Sequence, residues 1–307
     1  MKKLYIFLCL WLIGVPILLP AAAQEPKIGV CLSGGGAMGF AHIGALQALE
    51  EHGIYPQFVS GTSMGAVIGS FYAAGFSPQN ILLMTQNEKM YKKGRLIKVV
   101  PHGSRTGLSN HNALRQVLKK YIPNDNFDSL PKRLFVCATD LSHAKAVYFG
   151  HGARLGECVA ASASIPGVFD TVIIDSVNYV DGGILNNVPS QPIRPLCDVV
   201  IGVNVDTFDP HMPIKNIFNV LNASIKVVLA NNAKEGKEMC NYLIDIRLDK
   251  KIDSFSFKRY KDIYFAGYNA TLRFIEQHPE ILKYARKIPI LDSVSTDRVL
   301  IATPQSK

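Results

Sequence analysis

The sequence predicts an α/β protein in which helices cover both faces of a mainly parallel sheet, giving three layers. Two near-continuous apolar runs, Arg133 to Thr139 and Val199 to Val205, are typical of strands buried on both faces. Strand-like and helix-like segments alternate, and no stretch rich in Gly, Pro or Ser divides them. With 307 residues, 48% hydrophobic and 19% charged, we expect one large domain with a generous core.

The remaining elements follow from periodicity and capping signals. Short strands are predicted at 27–32 and 57–60, and a third extended segment at 177–180. Ser77-Pro78 is an N-cap followed by proline at the first helical position, which indicates a helix reaching about Glu88. Five further helices are predicted: 37–51, 66–74, one after Ser109, 216–238 and 260–277. The helix at 216–238 is expected to pack on the core with a solvated outer face.

The first residues have the pattern of a secretory signal peptide. A positive head, an apolar run and small residues follow one another: Met1-Lys2-Lys3, Leu4 to Leu19, Ala21 to Ala23. We therefore expect residues 1–23 to be removed and 24–307 to form the domain. An uncleaved anchor is the alternative, but the run is short for a membrane span and is broken by Pro16 and Pro20. The expected location is the periplasm or cell envelope of a Gram-negative cell, and otherwise outside the cell.

Charge and cysteine usage limit the partners. The formal net charge is +9, and about +7 without the leader, which favours anionic lipid surfaces rather than nucleic acid for an exported protein. The five cysteines outside the leader are odd in number and widely spaced, so we expect buried free thiols rather than disulfides: Cys31, Cys137, Cys158, Cys197 and Cys240. No C-x-x-C pair or His/Cys cluster indicates a metal site.

A glycine loop lies between the first strand and helix, as Gly34-Gly35-Gly36-Ala37-Met38-Gly39. Its amides and the start of the helix could bind a phosphate or an oxyanion. The spacing also satisfies the dinucleotide pattern G-x-G-x-x-G, but the acid needed at the end of the second strand is absent from 54–60. A purely structural turn remains the other alternative.

The second strand runs into Gly61-Thr62-Ser63-Met64-Gly65, which is the G-x-S-x-G pattern of a nucleophile elbow. The strand–turn–helix setting makes Ser63 a candidate nucleophile, and the flanking glycines leave room for a strained backbone and for substrate. A packing turn with an inert serine is the alternative interpretation.

A third motif, Val180-Asp181-Gly182-Gly183, presents an aspartate at the end of an extended segment. A structural Asp-Gly turn is the simplest interpretation of this motif alone. Two glycines behind the carboxylate, however, allow another group close access to it. Asp181 is therefore a candidate partner for Ser63.

A serine hydroxyl needs a base. In the chain order of an α/β-hydrolase, His211 or His278 could serve, but such folds place several strands before the elbow and this chain has one. The remaining candidate is Asp181, a weak base at its ordinary pKa of about 3.9, so the site must be dry and must stabilise the oxyanion strongly. Three other histidines lie in predicted helices and are expected to be surface or packing residues: His42, His52 and His111.

Together these motifs resemble the patatin-like phospholipase family, and 161–166 (Ala-Ser-Ala-Ser-Ile-Pro) resembles a further block of it. The resemblance covers about 27–205 and implies the three-layer patatin-like fold. It implies Ser63 as nucleophile, Asp181 as its base, and an oxyanion hole lined by Gly34, Gly35 and Gly36. The supporting motif glycines are Gly39, Gly61, Gly65, Gly182 and Gly183.

The family hydrolyses acyl esters of phospholipids and other lipids, so the resemblance implies a lipid acyl hydrolase that needs no metal or cofactor. Met38 departs from the Arg or Lys of many bacterial members, which puts in doubt a positive charge beside the loop. About 100 residues follow the matched core, and we expect no outer-membrane barrel among them. A catalytically silent lipid- or protein-binding module on the same fold is the alternative function.

A basic segment follows the predicted helix that ends at about Glu88. From Lys89 to Asn124 there are nine cations and no acid, and apolar residues are interleaved with the first of these. We hypothesise that 89–108 forms a cap or rim that meets anionic lipid. An ordinary basic surface loop is the alternative.

Overall fold

A computed structural model describes residues 25–90, 92, 106–206 and 214–286. The predicted leader, most of the proposed cap and His211 lie outside these residues.

The described residues form eight strands in one mixed sheet: β1 (Ile28–Leu32), β2 (Phe58–Thr62), β3 (Arg133–Asp140), β4 (Lys145–Phe149), β5 (Val172–Ile174), β6 (Val177–Asp181), β7 (Val199–Asn204) and β8 (Tyr242–Asp245). Their order is β5-β6-β3-β2-β1-β7-β8, and β4 pairs with β3. The five strands from β3 to β8 in this order are parallel, whereas β4, β5 and β6 pair antiparallel. The predicted mainly parallel sheet is confirmed.

Seven α-helices lie in the same ranges: α1 (Phe40–Glu51), α2 (Met64–Ala73), α3 (Pro78–Asn87), α4 (Asn112–Tyr121), α5 (Leu155–Ser162), α6 (Ile217–Glu238) and α7 (Tyr260–Gln277). A 3-10 turn, Gly36–Gly39, precedes α1. Ser77 caps α3 by accepting from the Asn80 amide, as the Ser-Pro signal predicted. All the predicted helices are present, with ends shifted by a few residues.

Alternate residues of the central strands enter two separate cores. Val30 and Leu32 of β1 belong to the main core beneath α1, α2 and α7. Cys31, between them, belongs to a smaller core on the other face, which includes Val188 and Ala233 of α6. Helices therefore cover both faces, and the predicted three-layer architecture is confirmed.

Some elements had no sequence prediction. The antiparallel strands β4 and β5, the short strand β8 and the helix α5 fall in stretches without clear periodicity. The cysteine expectation is confirmed, since all five described cysteines are free and four are buried, with Cys240 partly exposed.

The sheet topology brings the candidate residues to one edge. Because β1, β2 and β7 are parallel neighbours, their carboxyl ends meet at the same edge. The glycine loop follows β1 and Ser63 follows β2 there. Asp181 ends β6, which pairs antiparallel with β3.

Candidate active site

Ser63 lies on a sharp turn between β2 and α2. Its backbone has φ +53° and ψ −124°, a conformation that few non-glycine residues adopt. The flanking glycines make this turn possible. A Cβ on Gly61 would lie 2.6 Å from the Gly65 carbonyl, and a Cβ on Gly65 would overlap the Leu32 carbonyl. The G-x-S-x-G spacing thus forms a strained elbow that places the serine at the start of a helix.

A single segment after α5 holds the backbones of both candidate residues. The Ser63 amide donates to the Ser162 hydroxyl at 2.9 Å. The Asp181 amide donates to the Ser164 carbonyl, also at 2.9 Å. The segment that resembled a further family block therefore ties the elbow to the aspartate.

The carboxyl group of Asp181 is buried beside Ser63. The Gly183 amide donates to it at 2.8 Å, and the Ser63 hydroxyl lies near enough to lower its pKa as a hydrogen-bond donor. Burial raises the pKa of Asp181 to about 6 because the charged form loses water, and these two donors only partly oppose the effect. The negative charge of Asp206 raises this pKa further. Asp181 is therefore a stronger base than an ordinary aspartate and is still mostly ionised at neutral pH.

Two of the four backbone amides from Gly34 to Ala37 are engaged by acceptors in the described residues and two are not. The Gly34 amide donates to the Asn187 carbonyl at 3.2 Å, and the Ala37 amide donates to the Ser254 carbonyl at 2.9 Å. Among the described residues, the amides of Gly35 and Gly36 have no acceptor. Gly36 opens the 3-10 turn, where the first amides of a helical segment lack an internal partner.

Glycine is required at two positions of this loop. Gly36 has φ +56°, and a Cβ there would overlap the Ser254 carbonyl. A Cβ on Gly34 would lie 2.5 Å from Asn187 Oδ1 and 3.2 Å from Ser63 Cβ. Asn187 and Ser63 thus both pack directly against the loop. Asn187 is fully buried, and its Oδ1 has no donor within the described part of the chain.

A buried ion pair lies next to the aspartate. Asp206 follows β7 and pairs with Lys226 of α6, whose side chain is largely buried. The second carboxylate oxygen of Asp206 is buried without a partner in the described residues. The same helix contacts the aspartate loop, because Asn232 donates to the carbonyls of Gly183 and Ile184. Helix α6 therefore supports the candidate site from outside the motifs.

An open cleft of about 540 Å³ leads to Ser63. Its walls are mostly apolar and include Met64, Val67, Leu114 and Phe169. Gly36 of the glycine loop and Ser63 of the elbow line the same cleft.

Two of the histidines considered are buried. His42 is a packing residue, as predicted: its Nε2 lies 2.8 Å from the Ser33 carbonyl, and burial lowers its pKa to about 4. His111 lines the cleft and stacks on Phe169 with ring centroids 4.0 Å apart. Burial lowers the pKa of His111 to about 3, so it is neutral at physiological pH. His278 pairs with Glu280 beyond α7.

The other motif glycines allow close packing. A Cβ on Gly39 would overlap Met64, and one on Gly182 would overlap the Cys137 carbonyl. Met38, where the resemblance implies a cation in many bacterial members, is buried in the 3-10 turn.

Within the described ranges no group of three or more His, Cys, Asp or Glu side chains could hold a metal ion. No helix in these ranges is long and apolar enough to span a membrane.

Sequence reasoning did not find the Asp206–Lys226 pair or the place of His111 in the cleft. Asp206 directly follows a predicted strand at the edge of the sheet that holds the site. That position is the feature of the sequence that could have identified it. Lys226 lies on a long helix between the apolar residues Ile225 and Val227, and the local sequence does not indicate its partner. His111 was assigned to a helix, and it lies just before α4.

Comparison with known proteins gives the following matches. A family model described as Patatin-like phospholipase matches residues 30–193, just over half of the chain. An uncharacterized NTE family protein of Mycobacterium tuberculosis H37Rv is 32% identical over 185 residues, covering 60% of this chain and 48% of that protein. A lysophospholipase of Emericella nidulans is 28% identical over 193 residues, covering 61% of this chain and 12% of its own length. The crystal structure of VipD from Legionella pneumophila aligns at a TM-score of 0.45 and 17% identity, covering 83% of this chain and 67% of that one.

The chain thus spans about half the length of the mycobacterial relatives and about one eighth of the fungal ones. The matched segment contains the glycine loop, the elbow, the 161–166 segment and Asp181. It ends before α6 begins.

Proposed function

Since this chain belongs to the patatin-like phospholipase family, we propose that it is a lipid acyl hydrolase that cleaves fatty-acyl esters with Ser63 as nucleophile and Asp181 as its base. The observation that carries this proposal is the place of the buried Asp181 carboxyl beside the Ser63 hydroxyl, which acts on its pKa as a hydrogen-bond donor. The apolar cleft that ends at Ser63 supports a lipid substrate.

In the first step, Ser63 Oγ attacks the ester carbonyl carbon, and its proton passes to the Asp181 carboxylate. The new C–O bond leaves negative charge on the former carbonyl oxygen. When this tetrahedral intermediate collapses, the C–O bond to the alcohol breaks, and protonated Asp181 returns the proton to the leaving oxygen. The products of this step are the free alcohol and an acyl-Ser63 ester.

The amides of Gly35 and Gly36 are the proposed oxyanion donors. They open a helical segment, so their N–H groups carry the partial positive charge of a helix start. Gly34 has a different role, because its own amide already donates a hydrogen bond to the Asn187 carbonyl. Its missing side chain leaves the space between Asn187 and Ser63 open.

In the second step, water attacks the acyl carbonyl and gives its proton to Asp181. Collapse of this intermediate breaks the bond to Ser63, which takes the proton back from Asp181 and releases the fatty acid. The raised pKa of Asp181 suits both steps, because a carboxylate that titrates near 6 accepts a proton more readily than an ordinary aspartate.

This proposal is tested by measuring the turnover of wild type, Ser63→Ala and Asp181→Asn. The substrates are lysophospholipid, phospholipid and a short soluble ester. Loss of the nucleophile or of its base is expected to lower turnover by about 1,000-fold or more. A fluorophosphonate probe should label wild type at the peptide containing Ser63 and should not label Ser63→Ala. Ser164→Ala and Asp175→Asn are matched controls, because Ser164 uses its carbonyl at the site and Asp175 is exposed.

Turnover of Ser63→Ala at the wild-type rate would contradict the proposal, because catalysis would then not need Ser63. Absence of both turnover and probe labelling in wild type would favour a silent binding module. We also propose that the leader directs export, which is tested by locating the cleaved chain in cells. We propose further that 89–108 contacts lipid, which is tested by liposome binding after charge reversal at Lys92, Lys93 and Arg95.

A further inference from the structure

Helix α6 exposes large aliphatic side chains along one face, contrary to the solvated outer face expected from the sequence. At about 100° per residue, positions 217, 220, 221, 227 and 228 fall within about 120° of the helix circumference, which places them on one stripe. Their exposed fractions are high: Ile217 69%, Val220 46%, Leu221 56%, Val227 45% and Val228 41%. Ile214, just before the helix, is 58% exposed. Each other helix in the described ranges has at most one exposed large aliphatic or aromatic side chain.

The opposite face of α6 is engaged with the protein. Lys226 pairs with Asp206, and Asn232 holds the aspartate loop. Ala233 belongs to the small core, and Gly236 packs against the Val188 carbonyl. The exposed stripe therefore points away from the body of the domain.

The start of α6 lies at the edge of the sheet where the candidate site is. The helix connects β7 to β8, which are parallel neighbours, so it must begin near their carboxyl ends and run back to their amino ends. The Lys226–Asp206 pair fixes this position, because Asp206 follows the carboxyl end of β7 and its charge acts on Asp181. The contacts of α6 with the site are made at Lys226 and Asn232, so its first turns, with the most exposed stripe residues, extend roughly 14 Å beyond Lys226 on the side of the carboxyl edge.

The charge of this region suits a lipid surface. From Ile214 to Ala233 the chain has no acid and two lysines, Lys215 and Lys226. Lys226 neutralises Asp206, so the first four turns of α6 present no uncompensated negative charge among the described residues. An apolar helix face without acids is the form of an interfacial helix that lies on a bilayer. Contiguous exposed apolar patches on soluble domains also mark interaction sites.

We propose that the exposed stripe of α6 is the surface by which this protein docks on a lipid bilayer. This inference rests on the proposed function, because the occupant is argued from an acyl-ester substrate that resides in a bilayer. Phe255 lines the cleft and is 37% exposed, so the cleft itself also presents an apolar side chain to solvent.

The test compares Ile217→Glu/Leu221→Glu with the control Ile173→Glu/Phe265→Glu. The control residues have similar exposed fractions, 61% and 57%, but lie on the opposite edge strand β5 and on α7. Binding to sedimenting vesicles of phosphatidylcholine with phosphatidylglycerol is measured in the Ser63→Ala background, so that no lipid is consumed. Hydrolysis of vesicle lipid and of a short soluble ester is measured with Ser63 intact.

The stripe variant is expected to bind vesicles at least tenfold more weakly and to hydrolyse vesicle lipid at least tenfold more slowly. Its hydrolysis of the soluble ester should stay within about twofold of wild type, and the control should match wild type in all three assays. A second measurement uses tryptophan fluorescence and leaves the stripe apolar. When vesicles are added, the emission of Leu221→Trp should shift to the blue and should be quenched by brominated lipid. The emission of Phe265→Trp should show neither change. Trp11 is the only natural tryptophan and is common to both variants.

Wild-type vesicle binding by the stripe variant would overturn the proposal. A fall in soluble-ester hydrolysis as large as the fall in vesicle hydrolysis would also overturn it, because the stripe would then act on the site. A wild-type dimer that the stripe variant dissociates, with vesicle binding unchanged, would assign the stripe to a second copy instead. Failure of the proposed function is distinct, since it appears as soluble-ester hydrolysis that survives Ser63→Ala.

Discussion

The backbone amide of Ser63 donates a 2.9 Å hydrogen bond to the hydroxyl of Ser162, 99 positions along the chain. Both residues are buried, so the hydroxyl satisfies an amide that water cannot reach. Ser162 ends α5, and the segment that follows it also accepts from the Asp181 amide. The nucleophile and its candidate base are thus positioned by the same short piece of backbone.

Replacing Ser162 by Ala should therefore destabilise the fold and misplace the nucleophile. The unsatisfied amide is expected to cost about 1–3 kcal/mol in the free energy of unfolding. Turnover should fall about 10- to 100-fold because the elbow relaxes around a residue that must be accurately placed. Ser164→Ala is the matched control, since it removes only a hydroxyl that donates to the Ala160 carbonyl. Wild-type turnover by Ser162→Ala would show that this bond does not position Ser63.

The pH dependence of activity should follow the Asp181 carboxyl. Its pKa of about 6 means that activity rises with pH along one acid limb with a midpoint near 6, as the carboxylate becomes available. This midpoint lies close to the ordinary pKa of histidine, so its position alone does not separate the two residue types. His42→Gln and His111→Gln should keep the limb, because both imidazoles are already neutral there. Loss of the limb in either variant would favour a histidine base.

The same group should make stability depend on pH. Burial raises the pKa of Asp181, so between pH about 4 and 6 the native chain holds a proton that the unfolded chain releases. Stability from this residue is therefore lost as pH rises through that window. Asp181→Asn has no such loss and should be more stable than wild type at pH 8, by up to about 3 kcal/mol, with little difference at pH 4. Urea unfolding at the two pH values measures this, and equal stability of both chains at pH 8 would contradict it.

Much of the site could be predicted from the sequence because its motifs are local. A glycine loop after β1 and a G-x-S-x-G elbow after β2 each specify a turn within a few residues. The meeting of Ser63 and Asp181 was proposed from the chemistry of serine activation and from a resemblance. In the structure β6 pairs antiparallel with β3, and this pairing, which periodicity does not encode, brings Asp181 to Ser63.

The rest depends on long-range packing. The sequence of α6 has apolar residues on more than one side, so its pattern does not reveal which side the sheet covers. The structure buries the side with Lys226 and Asn232 and leaves Ile217 and Leu221 exposed. The polar contacts of the covered side decide the orientation, and these contacts are with Asp206 and Gly183, which come from other elements.

Gly36 should tolerate no side chain. It has φ +56°, and an added Cβ would overlap the Ser254 carbonyl, which accepts from the Ala37 amide. Gly36→Ala is therefore expected to displace the proposed oxyanion donors and to lower turnover by about 100-fold or more. Gly152→Ala is the control, because Gly152 has φ +73° with no atom within 4 Å of an added Cβ. Equal turnover for the two variants would show that the Gly36 backbone does not need its present position.

The Asp206–Lys226 pair should tune Asp181 in opposite directions when its members are changed singly. The charge of Asp206 raises the pKa of Asp181, so Asp206→Asn should move the acid limb of activity to lower pH. Lys226→Met leaves the Asp206 charge uncompensated and should move the limb to higher pH. Each shift is expected to be about 0.5–1 pH unit, the size of a Coulomb interaction across several ångströms of protein. Lys226→Met should also lose stability, because it leaves a buried carboxylate without its partner.

Lys234→Met is the control for this last pair. Lys234 lies on the same helix, is exposed and contacts only Asn231 among the described residues, so its removal should leave the limb in place. The opposite directions of the two pH shifts make this prediction specific. A general destabilisation of α6 would instead move the acid limb of both variants in the same direction or broaden it in both. Limbs that move in the same direction would show that the pair supports the aspartate loop mechanically and that its charge does not reach Asp181.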